Sequence, residues 1–199
     1  HWPSRTLYAN LFDSNIYGLV DERRDPAWVA GENGLAATKY EFLFERTSIT
    51  SNVGYNYTIF LAFRGEEVLL NRAECLILQN NVIGGLTDVL LLARRRYRPD
   101  EQSGFSVDDV APQQVVAALR IVYGSNNDQV NAFRYLMEER RKEFLHEGMR
   151  WFDIKRLQIP VVHVLQDEST LTLEANDNRK VLQIPQAAID IGGLEPNPR

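Results

Sequence analysis

The chain has 199 residues, 44% hydrophobic and 25% charged, which is ordinary for a soluble globular protein and long enough to bury a core. A net charge of -5 and a pI near 5.3 leave no basic footprint for nucleic acid. No apolar run approaches the roughly 18 residues that span a bilayer as a helix, and the single cysteine, Cys75, excludes an intrachain disulfide and a multi-thiolate zinc site.

In chain order, the first segment, 1–63, is irregular and rich in aromatic residues from Tyr8 to Phe63, closely punctuated by Gly, Asn, Asp and Ser. Lys39 to Arg46 and Tyr57 to Phe63 predict short extended pieces within it. The start, His1-Trp2-Pro3-Ser4-Arg5, is no signal peptide and has no Met, so the chain reads as part of a longer protein. The second segment, 64–157, is helical. Leu69, Ala73, Leu76 and Ile77 predict one helix face, with Cys75 expected as a small buried hydrophobe in the run Val68 to Leu78. Asn80-Asn81 and Gly84-Gly85 mark a turn, and Leu86, Val89, Leu90, Ala93 and Tyr97 form the next stripe. The pair spans about 32 residues, near the tetratricopeptide period of 34, which predicts an antiparallel helical hairpin. Arg94 to Arg96 are expected at the end of that second helix, where positive charge suits the dipole.

A third helix is expected after Asp109, with Pro112 in its first turn, the stripe Val115, Val116, Leu119, Val122 and Tyr123, and Gly124 as its stop. Ser125-Asn126-Asn127-Asp128 fits the cap of a fourth, running to His146 or Glu147. Its expected face is Val130, Phe133, Met137 and Phe144, with Gly148 as C-cap. Arg150 to Leu157 forms a short amphipathic segment in which Trp151 and Phe152 are expected in the core. The last segment, 158–199, is an irregular tail with a polar loop at Glu174 to Lys180 and a Pro-rich end.

Glu139, Glu143 and Glu147 repeat every four residues, so a continuous helix puts them on one face. There like charges repel by a few tenths of a kcal/mol per pair. Compensating cations are expected from Arg140, Arg141, Arg150, Arg156, Arg72 or Arg94, in a structural ion network of Glu139, Glu143, Glu147, Arg140 and Arg150. Glu143-Phe144-Leu145-His146 is a Glu-x-x-His, but di-iron bundles need two such motifs and two more glutamates. His1 and His163 have no matching carboxylate, so no metal site is expected. A Ser-His-Asp context, a phosphate loop and an HExxH motif are absent, and 27 carboxylates are too many for any pair to signal glycoside hydrolysis. No cofactor is expected.

The stretch Glu139-Arg140-Arg141-Lys142-Glu143-Phe144-Leu145-His146-Glu147-Gly148-Met149-Arg150-Trp151-Phe152-Asp153-Ile154-Lys155-Arg156 is very similar to the SusD/RagB signature ERR-x-E-[LF]-x-x-EG-x-RW-[FY]-D-[LI]-x-R, and matches every specified position. Arg64 to Glu74 resembles the family's R-x-x-E-x-x-L-x-x-AE helix. Leu182-Gln183-Ile184-Pro185-Gln186 resembles its [FL]-P-I-P-x segment, with Gln183 where Pro is usual, and Glu195-Pro196-Asn197-Pro198-Arg199 resembles a diverged form of its NP-x-x-x-QNPGY end. The resemblance covers about Asp21 to Pro198. It implies a mainly α fold of tetratricopeptide-like hairpins with irregular loops and a few short β segments. This would be a single SusD-like carboxy-terminal domain over 1–199, part of a longer protein.

The resemblance also implies a non-catalytic subunit at the outer-membrane surface of a Bacteroidetes-type cell. Such a subunit binds oligosaccharide or peptide and works with a SusC-like TonB-dependent transporter. Its only membrane attachment is a lipid anchor on a preceding part, and Cys75, placed within a helix, is not that anchor. The alternative reading is a helical-repeat adaptor for a protein partner. For ligand contact, aromatic rings that offer flat faces beside hydrogen-bonding groups are the candidates. They are Trp28 with Arg24 close by, then Trp2, Tyr55 and Tyr57, the two tyrosines near Asn52 and Asn56.

Overall fold

In a computed structural model of the chain, residues 10–24, 28–31, 34–37, 43–58, 62–165 and 167–198 are described. Helix α1, Gly65–Leu78, opens with Glu66 and Glu67 in its first turn, where carboxylates offset the unpaired amides. It stops at Gln79 and Asn80, the latter at φ 63°, which asparagine tolerates. Asn81 then caps α2, Val82–Ala93, by accepting from the Gly84 amide. The short link folds α2 back along α1. Arg72 reaches Asp88 with two hydrogen bonds of 2.7 Å, and Gly85 lies against Ile77. A Cβ on Gly85 would stand 2.5 Å from Ile77 Cγ1 and 2.8 Å from the Ala73 carbonyl, so the close approach requires glycine. Gly84 and Gly85 therefore belong to the second helix and not to the turn expected from sequence.

Helix α3, Pro112–Tyr123, begins with proline at its first position, where no amide is lost, and ends at Gly124 with φ 59°. Asn127 caps α4, Asp128–Glu143, by accepting from the Val130 amide. Helix α4 packs on α1, α2 and α3. The core between them holds Leu70, Ala73, Ile77, Leu86, Val89, Leu90, Ala93, Val115, Leu119, Ala132 and Leu136. The expected stripe of α2 is buried throughout, Tyr97 included, although Tyr97 lies beyond the helix. Elsewhere the faces differ from expectation. On α1 the buried row is Leu70, Ala73, Glu74 and Ile77, with Leu69 and Leu76 half-buried, and Cys75 points off that row and is exposed. Val122 on α3 is exposed.

On α4 the buried row runs Ala132, Tyr135, Leu136, Glu139, Lys142, Glu143. Val130 is exposed and Phe133 half-buried, while Met137 and Phe144 are buried. The row turns from apolar to charged halfway, and a periodicity of apolar residues cannot follow it. Helix α4 also ends at Glu143, short of the expected His146 or Glu147, so Glu147 is not on the face of Glu139 and Glu143.

Short antiparallel ribbons accompany the helices. Strand β1, Val20–Asp21, pairs with β6, Tyr97–Arg98, in the register Asp21 opposite Tyr97. Strand β2, Trp28–Gly31, pairs with β3, Gly34–Ala37, and β4, Leu43–Arg46, with β5, Gly54–Tyr57. The first expected extended piece thus survives as β4, whereas of the second only Tyr57 lies in a strand, at the end of β5, and 58, 62 and 63 are in none; 39–42 and 59–61 lie outside the described residues.

The chain divides into two compact units, His1–His146 and Glu147–Arg199. The second contains α5, Met149–Arg156, the ribbon of β7, Val161–Val164, with β8, Thr170–Leu173, and α6, Gln186–Gly192, a turn of helix the sequence reading left irregular. Gly148 has the expected positive φ, 77°, but it precedes α5 and does not cap α4. Phe152 is 65% exposed and Trp151 half-buried, so neither joins the core as expected. Lys180 is buried and donates to the carbonyls of Ile159 and Ala175 at 2.8 and 2.9 Å. Gln183 accepts from the Asn197 amide at 2.8 Å and donates to the Asn197 carbonyl at 3.1 Å, which ties the Pro-rich end back to this segment. No helix among the described residues is long and apolar enough to cross a membrane.

Candidate functional site

The ligand candidates fall on the ribbons of the first unit. In β5, alternation puts Tyr55 and Tyr57 on one face, with Glu45 directly across from Tyr55. Both rings stand out from the protein, Tyr55 74% and Tyr57 43% exposed. The opposite face carries Phe44, whose ring lies over Gly54: a Cβ there would meet Phe44 Cζ at 2.6 Å. The backbone of Trp28 lies in β2 opposite Ala37, its side chain is outside the described ones, and Trp2 lies outside the described residues altogether. Arg24 is part-exposed and pairs with Asp13 at 3.0 Å. Its neighbour Arg23 points inward, into a cluster of charges.

That cluster is built on the charged half of α4. Glu139, with no exposed surface, accepts from the Tyr97 hydroxyl at 2.8 Å and from Lys142 Nζ at 3.1 Å on one oxygen, and from Arg23 at 2.8 Å on the other. Arg23 also grips Asp21 with bonds of 2.8 and 2.6 Å, an arrangement the β1–β6 pairing sets by placing Asp21 beside Tyr97. Glu143 takes a two-pronged bond from Arg96, both at 2.9 Å, and a third from Arg64 at 2.9 Å. Arg96 reaches on to Glu66 at 3.0 Å. Four carboxylates, Asp21, Glu66, Glu139 and Glu143, therefore face four cations, Arg23, Arg64, Arg96 and Lys142. Tyr17 completes the wall, its ring edge-on to Tyr97 at 4.9 Å and its hydroxyl 2.7 Å from that of Tyr135.

Charge balance decides the electrostatics. Burial raises the Glu139 carboxyl, but Arg23, Lys142 and their hydrogen bonds outweigh it and hold it down at about 2. For Glu143, burial is likewise outweighed by Arg96, Arg23 and Arg64, so its carboxyl also lies below the usual range. Burial and the Glu139 charge push the Tyr97 phenol well up, so it stays a neutral donor. Each carboxylate of the cluster is paired with at least one of its cations. The cluster's geometry suits locking α1, α4 and the β1–β6 ribbon together.

Of the residues expected in this network, Glu139 and Glu143 meet in it, Arg140 donates to Asn71 at 2.8 Å, and Glu147 and Arg150 belong to the second unit. Arg72 pairs with Asp88, Arg94 with Asp108, Arg141 with Glu138 and Arg156 with Asp153. Sequence reading missed Arg23, Arg96, Lys142 and Asp21. Arg96 was expected as a dipole-complementing helix end, and it is a buried-network cation instead. Arg64 carried a signal, since it opens the first motif helix, and its bond to Glu143 joins that motif to the signature.

Among the described residues, no group of three or more His, Cys, Asp or Glu is placed to hold a metal ion. No curated protein sequence matches the chain. A family model described as the SusD family matches residues 28–190, which takes in both motif segments, the ribbons after β1, the helical hairpin and the α1 and α4 members of the ion cluster, while Asp21 and Arg23 precede it. The chain therefore belongs to the SusD family of nutrient-binding proteins associated with outer-membrane uptake.

Proposed function

We propose that the protein is a non-catalytic subunit that binds an oligosaccharide, or a peptide, at the cell surface and hands it to a SusC-like TonB-dependent transporter in the outer membrane. A lipid anchor holds it there. Beyond family membership, the observation that carries this reading is the pair Tyr55 and Tyr57. Two tyrosines on one face of a short ribbon, both with rings open to solvent, form a platform on which sugar rings or peptide side chains stack. We further propose Trp28 and Trp2 as ligand contacts, with Arg24 as a hydrogen-bonding cation.

The test is a calorimetric screen of oligosaccharides and peptides against the intact protein. Tyr55→Ala, Tyr57→Ala and Trp28→Ala should each cost about 1–3 kcal/mol of binding, a stacking magnitude taken from bases on aromatic rings. Failure of all three to weaken a bound glycan or peptide would remove the aromatic surface from the proposal. Release of cleaved oligosaccharide during the titration would overturn the non-catalytic assignment.

A further inference from the structure

We propose that a second face of the first unit binds a single neutral sugar unit, in the cleft where the α1–α2 turn meets α3 and the start of α4. The cleft measures about 540 Å³ and is open at the surface, within the range of small-molecule sites. Its polar lining is Asn80, Asn81, Gln113, Arg120 and Asp128. The two charges in it cancel: Arg120 donates two bonds, of 2.7 and 2.6 Å, to the Asp128 carboxylate. A site with no net charge and three carboxamides favours a ligand whose groups both donate and accept, which is the chemistry of hydroxyls.

Three of the five polar side chains are held before any ligand arrives. Asn81 is fixed by the bond that its oxygen accepts from the Gly84 amide, which leaves its amide nitrogen to donate. Arg120 and Asp128 hold each other. The remaining wall is aliphatic, made by Val82, Ile83 and Val116. That wall suits the C–H face of a pyranose, and the carboxamides suit its rim. All these residues sit at helix ends or on helices, which keeps their spacing rigid. The inference rests on the reading of the protein as a glycan binder but uses none of the ribbon residues.

Amide chemical shifts and calorimetry on the intact chain, titrated with glucose, galactose, mannose, xylose, maltose and cellobiose, test it. At least one sugar should shift the amides of Asn80, Gln113 and Val116 saturably, with an affinity on the order of millimolar. The double variant Asn80→Gly, Gln113→Ala should weaken that binding by about tenfold. It should also keep its melting temperature, since glycine accepts φ 63° and alanine suits a helix. Tyr55→Ala should leave the cleft shifts in place. Shifts confined to Tyr55 and Tyr57 would overturn the cleft and keep the ribbon site. Undiminished binding in the double variant would overturn it too, and no shifts at either place would overturn both.

Discussion

Glu139 is a carboxylate with no water contact, at the centre of a charge-balanced cluster. Taking away its charge leaves the buried cluster with one cation in excess, although Arg23 keeps Asp21, so the loss exceeds what the carboxylate's own bonds contribute. Glu139→Gln should lower the unfolding free energy by about 3–5 kcal/mol in urea titrations. Glu138→Gln, on a half-buried side chain whose pair with Arg141 spans 3.6 Å, should change it by less than about 1 kcal/mol. Equal effects at the two neighbours would show that burial plays no part. Glu143→Gln should lower the melting temperature and leave ligand affinity nearly unchanged, measured by calorimetry on the same samples. Lost affinity at an unchanged melting temperature would assign Glu143 to ligand and not to structure.

At the level of elements, the α1–α2 hairpin depends on two small local features. Asn81 supplies the cap of α2, and Asn81→Ala should cost about 1 kcal/mol. Gly85 allows α2 to approach α1, and the Ala73 carbonyl in its way is backbone that cannot swing aside. Gly85→Ala should therefore cost about 1–3 kcal/mol, whereas alanine at an exposed helical glycine stabilises. Before α5, Gly148 holds φ 77° with open space around it. Its replacement by alanine should cost about 1 kcal/mol through backbone strain alone. Denaturant midpoints of the three variants, at constant slope, check all three values.

For the whole molecule, the cluster makes stability depend on acid. The Glu139 carboxyl is held at about 2, below its ordinary value of 4.5, and Glu143 is shifted in the same direction. A depressed carboxyl stabilises the folded state above its ordinary value, and that contribution disappears as pH falls through the folded value. Unfolding free energy should thus be steady above pH ~5 and fall between pH ~4.5 and ~2. Glu139→Gln should flatten that fall. A wild-type curve as flat as the variant's would remove Glu139 from the acid transition.

The sequence by itself determined the features that depend on near neighbours. Asn81, Pro112, Gly124 and Asn127 mark helix ends because capping and backbone conformation are local, and the stripe of α2 is legible because its residues recur at helical spacing, while Ile83 and Leu91 of the same helix stay exposed. The dense signature from Glu139 to Arg156 was enough for the family, and the exposed tyrosines of β5 were already singled out by their chemistry. Only the tertiary structure decided which charges are buried. Arg23 and Glu139 lie 116 residues apart, and Arg64 and Glu143 lie 79 apart. Periodicity says which residues share a helix face, but it reads a charged face as a wet one. Whether that face meets water or a set of fixed counter-charges depends on where distant segments dock, and that is why the real row on α4 and the inward turn of Arg23 and Arg96 appeared only in three dimensions.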